Sequence, residues 1–242
     1  MRNLRAAGMA AAAAAIASAG AGAAAVPAAA ARQTPAVPST QQLAALLGSQ
    51  QVFSSLNARR SRATLPASRP ITGGQTVLPV LARATTKLGT RRLRVMLPGR
   101  PNGHTGWIAQ AGTSSTTTSW HIAIRTSTRR VSVYRRGRLA RSFAAVVGKP
   151  ATPTPNGRFF VEESILMPPG HPGAPYALAL SARSNVLQEF EGGPGQIALH
   201  GVMNLGGTPG TAVSHGCVRL ANHNIRWMAA RIGPGVRVTI SP

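Results

Sequence analysis

The chain has 242 residues, 27 of them Lys or Arg against 4 Asp or Glu, for a formal charge of +23 at pH 7. All the acids are glutamates (Glu162, Glu163, Glu189, Glu191), so mechanisms that need an aspartate, such as the Ser-His-Asp triad and aspartyl dyads, are excluded. The length allows one large or two small domains with a real core, and a field this basic attracts polyanions and carboxylate-bearing partners.

The first 31 residues read as a secretory signal. Arg2 and Arg5 supply the positive start, residues 6–26 the apolar stretch, and "PAAAAR" small residues for cleavage near Ala31. Retention as a membrane anchor is the second reading, since alanine is only marginally apolar and Gly20 and Gly22 interrupt the run. Export to the periplasm or cell wall follows from either. Residues 32–72, rich in Pro, Ser, Thr, Gln and Arg, read as a disordered or weakly helical linker, with "QQLAALLGSQQVFSSL" (41–56) as its one amphipathic stretch. Residues 73–112 carry short apolar runs split by turn residues and predict a small β module. Its end, "LPGRPNGHTGWI", resembles that of the Src-homology-like barrels that precede some bacterial cell-wall enzymes. "GTSSTTTS" (112–119) reads as a hinge.

From Trp120 to the end (domain 119–242) the pattern is β. "WHIAI" and "RRVSVY" alternate, "RRG" turns, "RLARSFAAVVG" returns, and "GQIALHG" brings His200 to a strand end. One short helix is expected, capped by Asn222 or Asn224, carrying Ile225, Met228, Ala229 and Ile232 on one face, and stopped by Gly233 and Pro234. "GVRVTI" is the last strand. The expected fold is mainly β with one short helix, preceded by a small barrel-like module.

The chemistry centres on Cys217, the sole cysteine, in "AVSHGCVRLANHN". An exported chain with one cysteine calls for an intermolecular bond or a reactive thiol, with a buried inert thiol as the plain alternative. Such a thiol needs a base or a cation nearby. His215, two residues before it, shares its side of an extended backbone but is awkwardly placed for a hydrogen bond. His200, from another strand, can be brought opposite the sulfur by strand pairing and is the preferred base. Gly216 allows a tight turn that would aim the backbone N–H groups of Gly216 and Cys217 at an oxyanion. Arg219 adds fixed charge, to the sulfur or to a substrate carboxylate.

"LHGV…VSHGCVRL" resembles the signature of the L,D-transpeptidase catalytic family, which cross-links bacterial peptidoglycan. "VGKPATPTPNGRFF" is similar to that family's Thr-Pro-x-Gly-x-Phe turn and "VSVYRRGRLARSF" to its opening hairpin, and the likeness covers residues 119–241. The resemblance implies a β-sandwich catalytic domain in which Cys217 is the nucleophile and His200 accepts and returns the proton. Ser214, His215 and Gly216 would form the loop around the sulfur, with Gly201 and Arg219 on the substrate side. It also implies peptidoglycan stem peptides as substrates, carbapenem β-lactams as inhibitors and no metal or organic cofactor. Where many relatives have Thr or Ser after the first His-Gly, this chain has Val202.

Other readings stand beside this one. Water as acceptor would make an L,D-carboxypeptidase, and a non-catalytic wall-binding protein would use the basic surface alone, by attraction to anionic wall polymers. Nucleic acid is not an expected partner, because the arginines are scattered and stacking aromatics few. His200, His215, Cys217 and His223 are zinc-type residues without a zinc-finger spacing. His104, His121 and His171 are expected in packing or at the surface, and Trp107, Trp120 and Trp227 as core or interface anchors. Glu162–Glu163 and Glu189/Glu191 are read as solvated.

Overall fold

The structure, a computed structural model, describes residues 37–190 and 192–242; the expected signal at 1–31 and Glu191 lie outside them. Among the described residues the fold is mainly β with one helix, as expected.

The described residues open with seven strands: β1 (Gln41–Leu46), β2 (Gln50–Val52), β3 (Ala63–Leu65), β4 (Val77–Thr85), β5 (Arg91–Met96), β6 (Thr105–Ala109) and β7 (Thr113–Thr118). Five of them form one sheet in the order β6-β5-β4-β1-β7, and β2 and β3 form a ribbon joined to β6 through paired backbone bonds between Phe53 and Trp107. Two expectations are corrected here. The stretch 41–56 is not helical: Ala44 and Leu46 enter the core of this module, while Leu43 lies on the side where Gly235 approaches. A strand covered on both faces loses its alternation, and a short apolar run then looks the same as a piece of helix. "GTSSTTTS" is not a hinge but β7, paired with β1 from Gln41↔Thr118 to Leu46↔Thr113, as its β-branched threonines favour. The module therefore starts at β1 rather than at residue 73.

The remainder runs β8 (Trp120–Arg125), β9 (Arg130–Arg135), β10 (Arg138–Ala144), β11 (Val147–Gly148), β12 (Gly157–Leu166), β13 (Tyr176–Arg183), β14 (Gln196–His200), β15 (Ala212–Ser214), β16 (Val218–Arg219), α1 (Asn222–Ala229) and β17 (Arg237–Ser241). Eight strands make a sheet in the order β10-β9-β8-β17-β12-β13-β14-β16, while β11 and β15 pair separately. Its core holds Ile122, Val133, Phe159, Leu180, Leu199 and Val218, closed by Ile225 and Met228 of α1. The helix has no side-chain cap. Ala221 stands at the N-cap position, and the expected cap, Asn222, uses its Oδ1 to accept from the Val202 N–H at 3.0 Å. Trp227 meets Trp120 and Phe143 edge-on at 6.0 and 5.9 Å, an anchor as expected. His121 is buried, its Nε2 3.2 Å from Thr239 Oγ1, and burial and the charge of Arg237 push it down to about 4.

Strand β12 serves both cores. Consecutive residues of a strand face opposite sides, so Phe159 enters the second core while Phe160 enters the first. At Glu162 the pairing with β13 slips between Val161↔Leu180 and Glu163↔Ala179, a β-bulge. This corrects the reading of Glu162 and Glu163 as solvated. A bulged residue breaks the alternation, so both carboxylates turn into the joint between the modules and are buried. Arg69 pairs with Glu162, Arg183 Nη1 reaches Glu162 Oε1 at 3.1 Å, and Thr72 donates to Glu163 Oε2 from its N–H and its hydroxyl, both at 2.8 Å. Glu162→Gln should leave two buried guanidinium groups short of counter-charge and cost about 3–5 kcal/mol of stability, read as a lower urea midpoint at unchanged m-value.

Candidate active site

The sequence places Cys217 just before β16, and β16 runs parallel to β14 with Leu199↔Val218 and His200↔Arg219 in register. Leu199, Val218 and Leu220 are buried in the core. Alternation therefore sends their neighbours His200, Cys217 and Arg219 together to the opposite face. With neighbouring strands about 4.8 Å apart and residues rising about 3.3 Å each, the backbones of Cys217 and His200 stand roughly 8 Å apart on the diagonal, a gap that their side chains can span. His200, not His215, is the histidine that strand pairing brings across from the sulfur. His215 is exposed on the same run as Cys217, two residues away, and its ring stacks on Phe190 with centroids 5.7 Å apart.

Three structural details fix the imidazole. Its Nδ1 lies 2.8 Å from the Gly201 carbonyl oxygen, which can only accept, so the proton sits on Nδ1 and the Nε2 lone pair is left to act as base. Gly173, at φ +85°, packs so close that a Cβ there would stand 2.7 Å from His200 Nδ1. Burial pushes His200 down to about 4; the Gly201 carbonyl pulls it up and Arg219 pushes it further down. The ring is therefore neutral at pH 7.

The turn over the sulfur is braced from inside. Gly216 takes φ +121°. Buried Ser214 donates its hydroxyl to the Cys217 carbonyl at 2.6 Å and accepts the Gly216 N–H at 3.1 Å. The expectation that Gly216 N–H faces an oxyanion is corrected by this bond, because one short side chain closes the turn at both ends. Cys217 Sγ is 3.9 Å from the Gln196 carbonyl. Arg219 Nη1 donates to the Gly206 carbonyl, so its guanidinium ties down the loop 201–211 while its charge stays on the face of the sulfur. Among the described residues no three His, Cys, Asp or Glu side chains converge on a metal position.

Two buried threonines that the sequence reading did not single out complete the support. Thr154 donates to the Gly216 carbonyl at 2.8 Å and Thr152 to the Ser214 carbonyl at 3.3 Å. They belong to the "TPTPNG" turn, whose composition signals a turn but not the distant loop it supports. Beside this face, a cavity of about 460 Å³ is lined by Leu166, Met167, Pro168, Pro175, Met203 and Arg226. Its wall continues into Gly173, whose N–H donates to the Met203 carbonyl and whose carbonyl accepts the Gly201 N–H, both at 2.8 Å. These groups bring to this region a thiol, an imidazole whose Nδ1 is committed to the Gly201 carbonyl, a guanidinium and an apolar recess.

The family model for the YkuD L,D-transpeptidase catalytic domain matches residues 119–240. The YkuD protein of Bacillus licheniformis, assigned by name to the L,D-transpeptidases, is 32% identical over 126 residues, covering 52% of this chain and 68% of the relative. Its Bacillus subtilis namesake is 28% identical over 147 residues, covering 61% and 74%. Among solved structures, an L,D-transpeptidase from Mycobacterium tuberculosis H37Rv aligns at 16% identity and a TM-score of 0.43, over 82% of this chain and 96% of that one. The L,D-transpeptidase LdtMt1 in complex with imipenem aligns at 19% identity and a TM-score of 0.43, over 86% and 88%.

Proposed function

The chain belongs to the L,D-transpeptidase catalytic-domain family, enzymes of peptidoglycan cross-linking, and on that footing we propose that it is an exported cysteine acyltransferase acting on peptidoglycan stems. The observation that carries this reading is the β14–β16 register, which sets His200 and Cys217 on one face with the Nε2 lone pair of His200 available.

In the first half-reaction His200 Nε2 takes the thiol proton as Cys217 Sγ attacks the carbonyl carbon of the third stem residue. The tetrahedral adduct collapses to a thioester, and the terminal D-alanine leaves as an amine carrying the proton from His200. In the second half-reaction the side-chain amine of another stem attacks the thioester, losing its proton to His200, which returns it to the sulfur. Burial lowers the pKa of His200 to about 4, which favours return of its proton to the leaving amine. Water as acceptor gives the carboxypeptidase outcome on the same residues.

The leader at residues 1–31 supports export, and the +23 charge supports attraction to an anionic wall by long-range field. A carbapenem ring, opened by the same nucleophile, would leave Cys217 acylated. The test is incubation of the purified chain with a disaccharide tetrapeptide and mass spectrometry of the products. D-Alanine release with a cross-linked dimer is expected; stem shortening without dimer would reassign the chain as a carboxypeptidase, and unchanged stems would favour the wall-binding reading.

A further inference from the structure

The segment "LPGRPNGHTGWI" takes no part in the chemistry above, yet its loop between β5 and β6 reaches the catalytic portion. Arg100 Nη1 donates to the Pro194 carbonyl at 2.9 Å, and Nη2 donates to the carbonyls of Ser184 at 2.8 Å and Leu187 at 3.2 Å. These three acceptors are spread along the 184–195 connection between β13 and β14. Asn102 grips the start of that connection in both directions. Its Nδ2 donates to the Arg183 carbonyl at 2.7 Å and to Asn185 Oδ1 at 2.9 Å, and its Oδ1 accepts the Arg183 N–H at 2.8 Å. A planar guanidinium can address several carbonyls at once, which an ammonium cannot.

The connection is folded back on itself. Ser184 N–H bonds the Gly195 carbonyl at 2.7 Å, and Phe190 and Gly193 exchange backbone bonds of 2.9 and 3.0 Å. This places the Phe190 ring on His215, with the planes inclined by 29°. Phe190 is 41% exposed, outside both cores, and the ring stack is its distinguishing contact. The other end of the connection enters β14 at Gln196, whose carbonyl faces Cys217 Sγ and whose strand ends in His200. The Arg100-anchored connection therefore approaches the site at two points: His215, two residues before Cys217, and the strand that carries His200.

We propose that Arg100 is a positioning residue for acyl transfer: it locks the 184–195 connection so that Phe190 holds His215, and with it the Cys217 turn, in the reactive geometry. The first module is then part of the catalytic apparatus, acting through packing and not through contact with substrate. Small displacements of a reacting group carry large rate costs, so a loosened connection lowers turnover while leaving the stem peptide bound.

This inference rests on Cys217 being the nucleophile, and the experiment separates the two claims. The full chain carrying Arg100→Lys, Phe190→Ala, Phe190→Tyr, or Arg100→Lys with Phe190→Ala is assayed for kcat and KM on a soluble stem peptide. Cys217 alkylation by iodoacetamide is followed against pH, and Tm is measured. Arg100→Lys and Phe190→Ala should each lower kcat by about tenfold with KM little changed and shift the alkylation profile, while the double variant is no worse than either single one, because both break one linkage. Phe190→Tyr, which keeps the stack, should restore wild-type kcat. Wild-type kcat in Arg100→Lys, losses that multiply to about a hundredfold in the double variant, or a lowered Tm with an unmoved alkylation profile would each overturn the proposal. Turnover surviving in Cys217→Ser would overturn the nucleophile reading instead, whatever Arg100 does.

Discussion

Cys217→Ser is expected to abolish cross-linking and carbapenem acylation, a loss of at least about three orders of magnitude, while leaving the fold intact. The substitution exchanges sulfur for oxygen in a turn already held by Ser214, Thr152 and Thr154, so the backbone has no reason to move. What changes is acidity: a hydroxyl holds its proton far more tightly than a thiol does, and the base beside it is weak, with His200 pushed down to about 4. Intact-mass measurement after carbapenem exposure reads the result directly. Acylation of the serine variant at a residue other than 217, or near-normal turnover, would place the nucleophile elsewhere in a chain that has no second cysteine.

His200→Ala should lower kcat/KM by about a hundredfold to ten-thousandfold, the range for loss of a general base, with His215→Ala costing less. The pH profile gives the finer test. A histidine held below its ordinary value stays neutral, and so remains a base, until the pH falls through its lowered pKa. The acid limb of kcat/KM should therefore lie near pH 4 rather than near 6.5, and should vanish in His200→Ala. Replacing Arg219 by Gln, which removes the cation that pushes His200 down, should move that limb upward. A limb near 6.5 in the wild type, or a larger loss on His215→Ala than on His200→Ala, would reverse the assignment of the base.

The sequence made the β-rich portion, the helix position and the strand pairing that sets His200 on the face of Cys217 legible, because each follows from periodicity or from one strand placing a residue opposite another. It hid what depends on contacts between distant segments. The "LAAL" of β1 has no alternation because both faces are covered, and β7 reads as a polar hinge because its threonines are exposed. Glu162 and Glu163 read as solvated because a bulge cannot be seen from residue types, and the bulge is what turns them inward. Asn222 looked like a cap, yet its side chain holds the Val202 N–H. The catalytic turn was found from Cys217 outward, but its buttress, Thr152 and Thr154, lies some 60 residues upstream, where spacing alone carries no information (|i−j| is 62 for both bonds).

Strand β12 bears on how this enzyme can be taken apart. The residues that match the family begin at 119, but the outer side of β12 does not end in solvent: Phe160 fills the other core, and Glu162 and Glu163 meet Arg69 and Thr72. A fragment cut at residue 119 would keep His200 and Cys217 and yet expose Phe160 and leave Glu162 without Arg69 and Glu163 without Thr72, a face prone to self-association. The recognisable family segment and the transplantable segment are thus different lengths of the same chain. Anyone grafting this catalytic centre onto another protein would have to carry β1 to β7 with it, or rewrite Phe160, Glu162 and Glu163 for water.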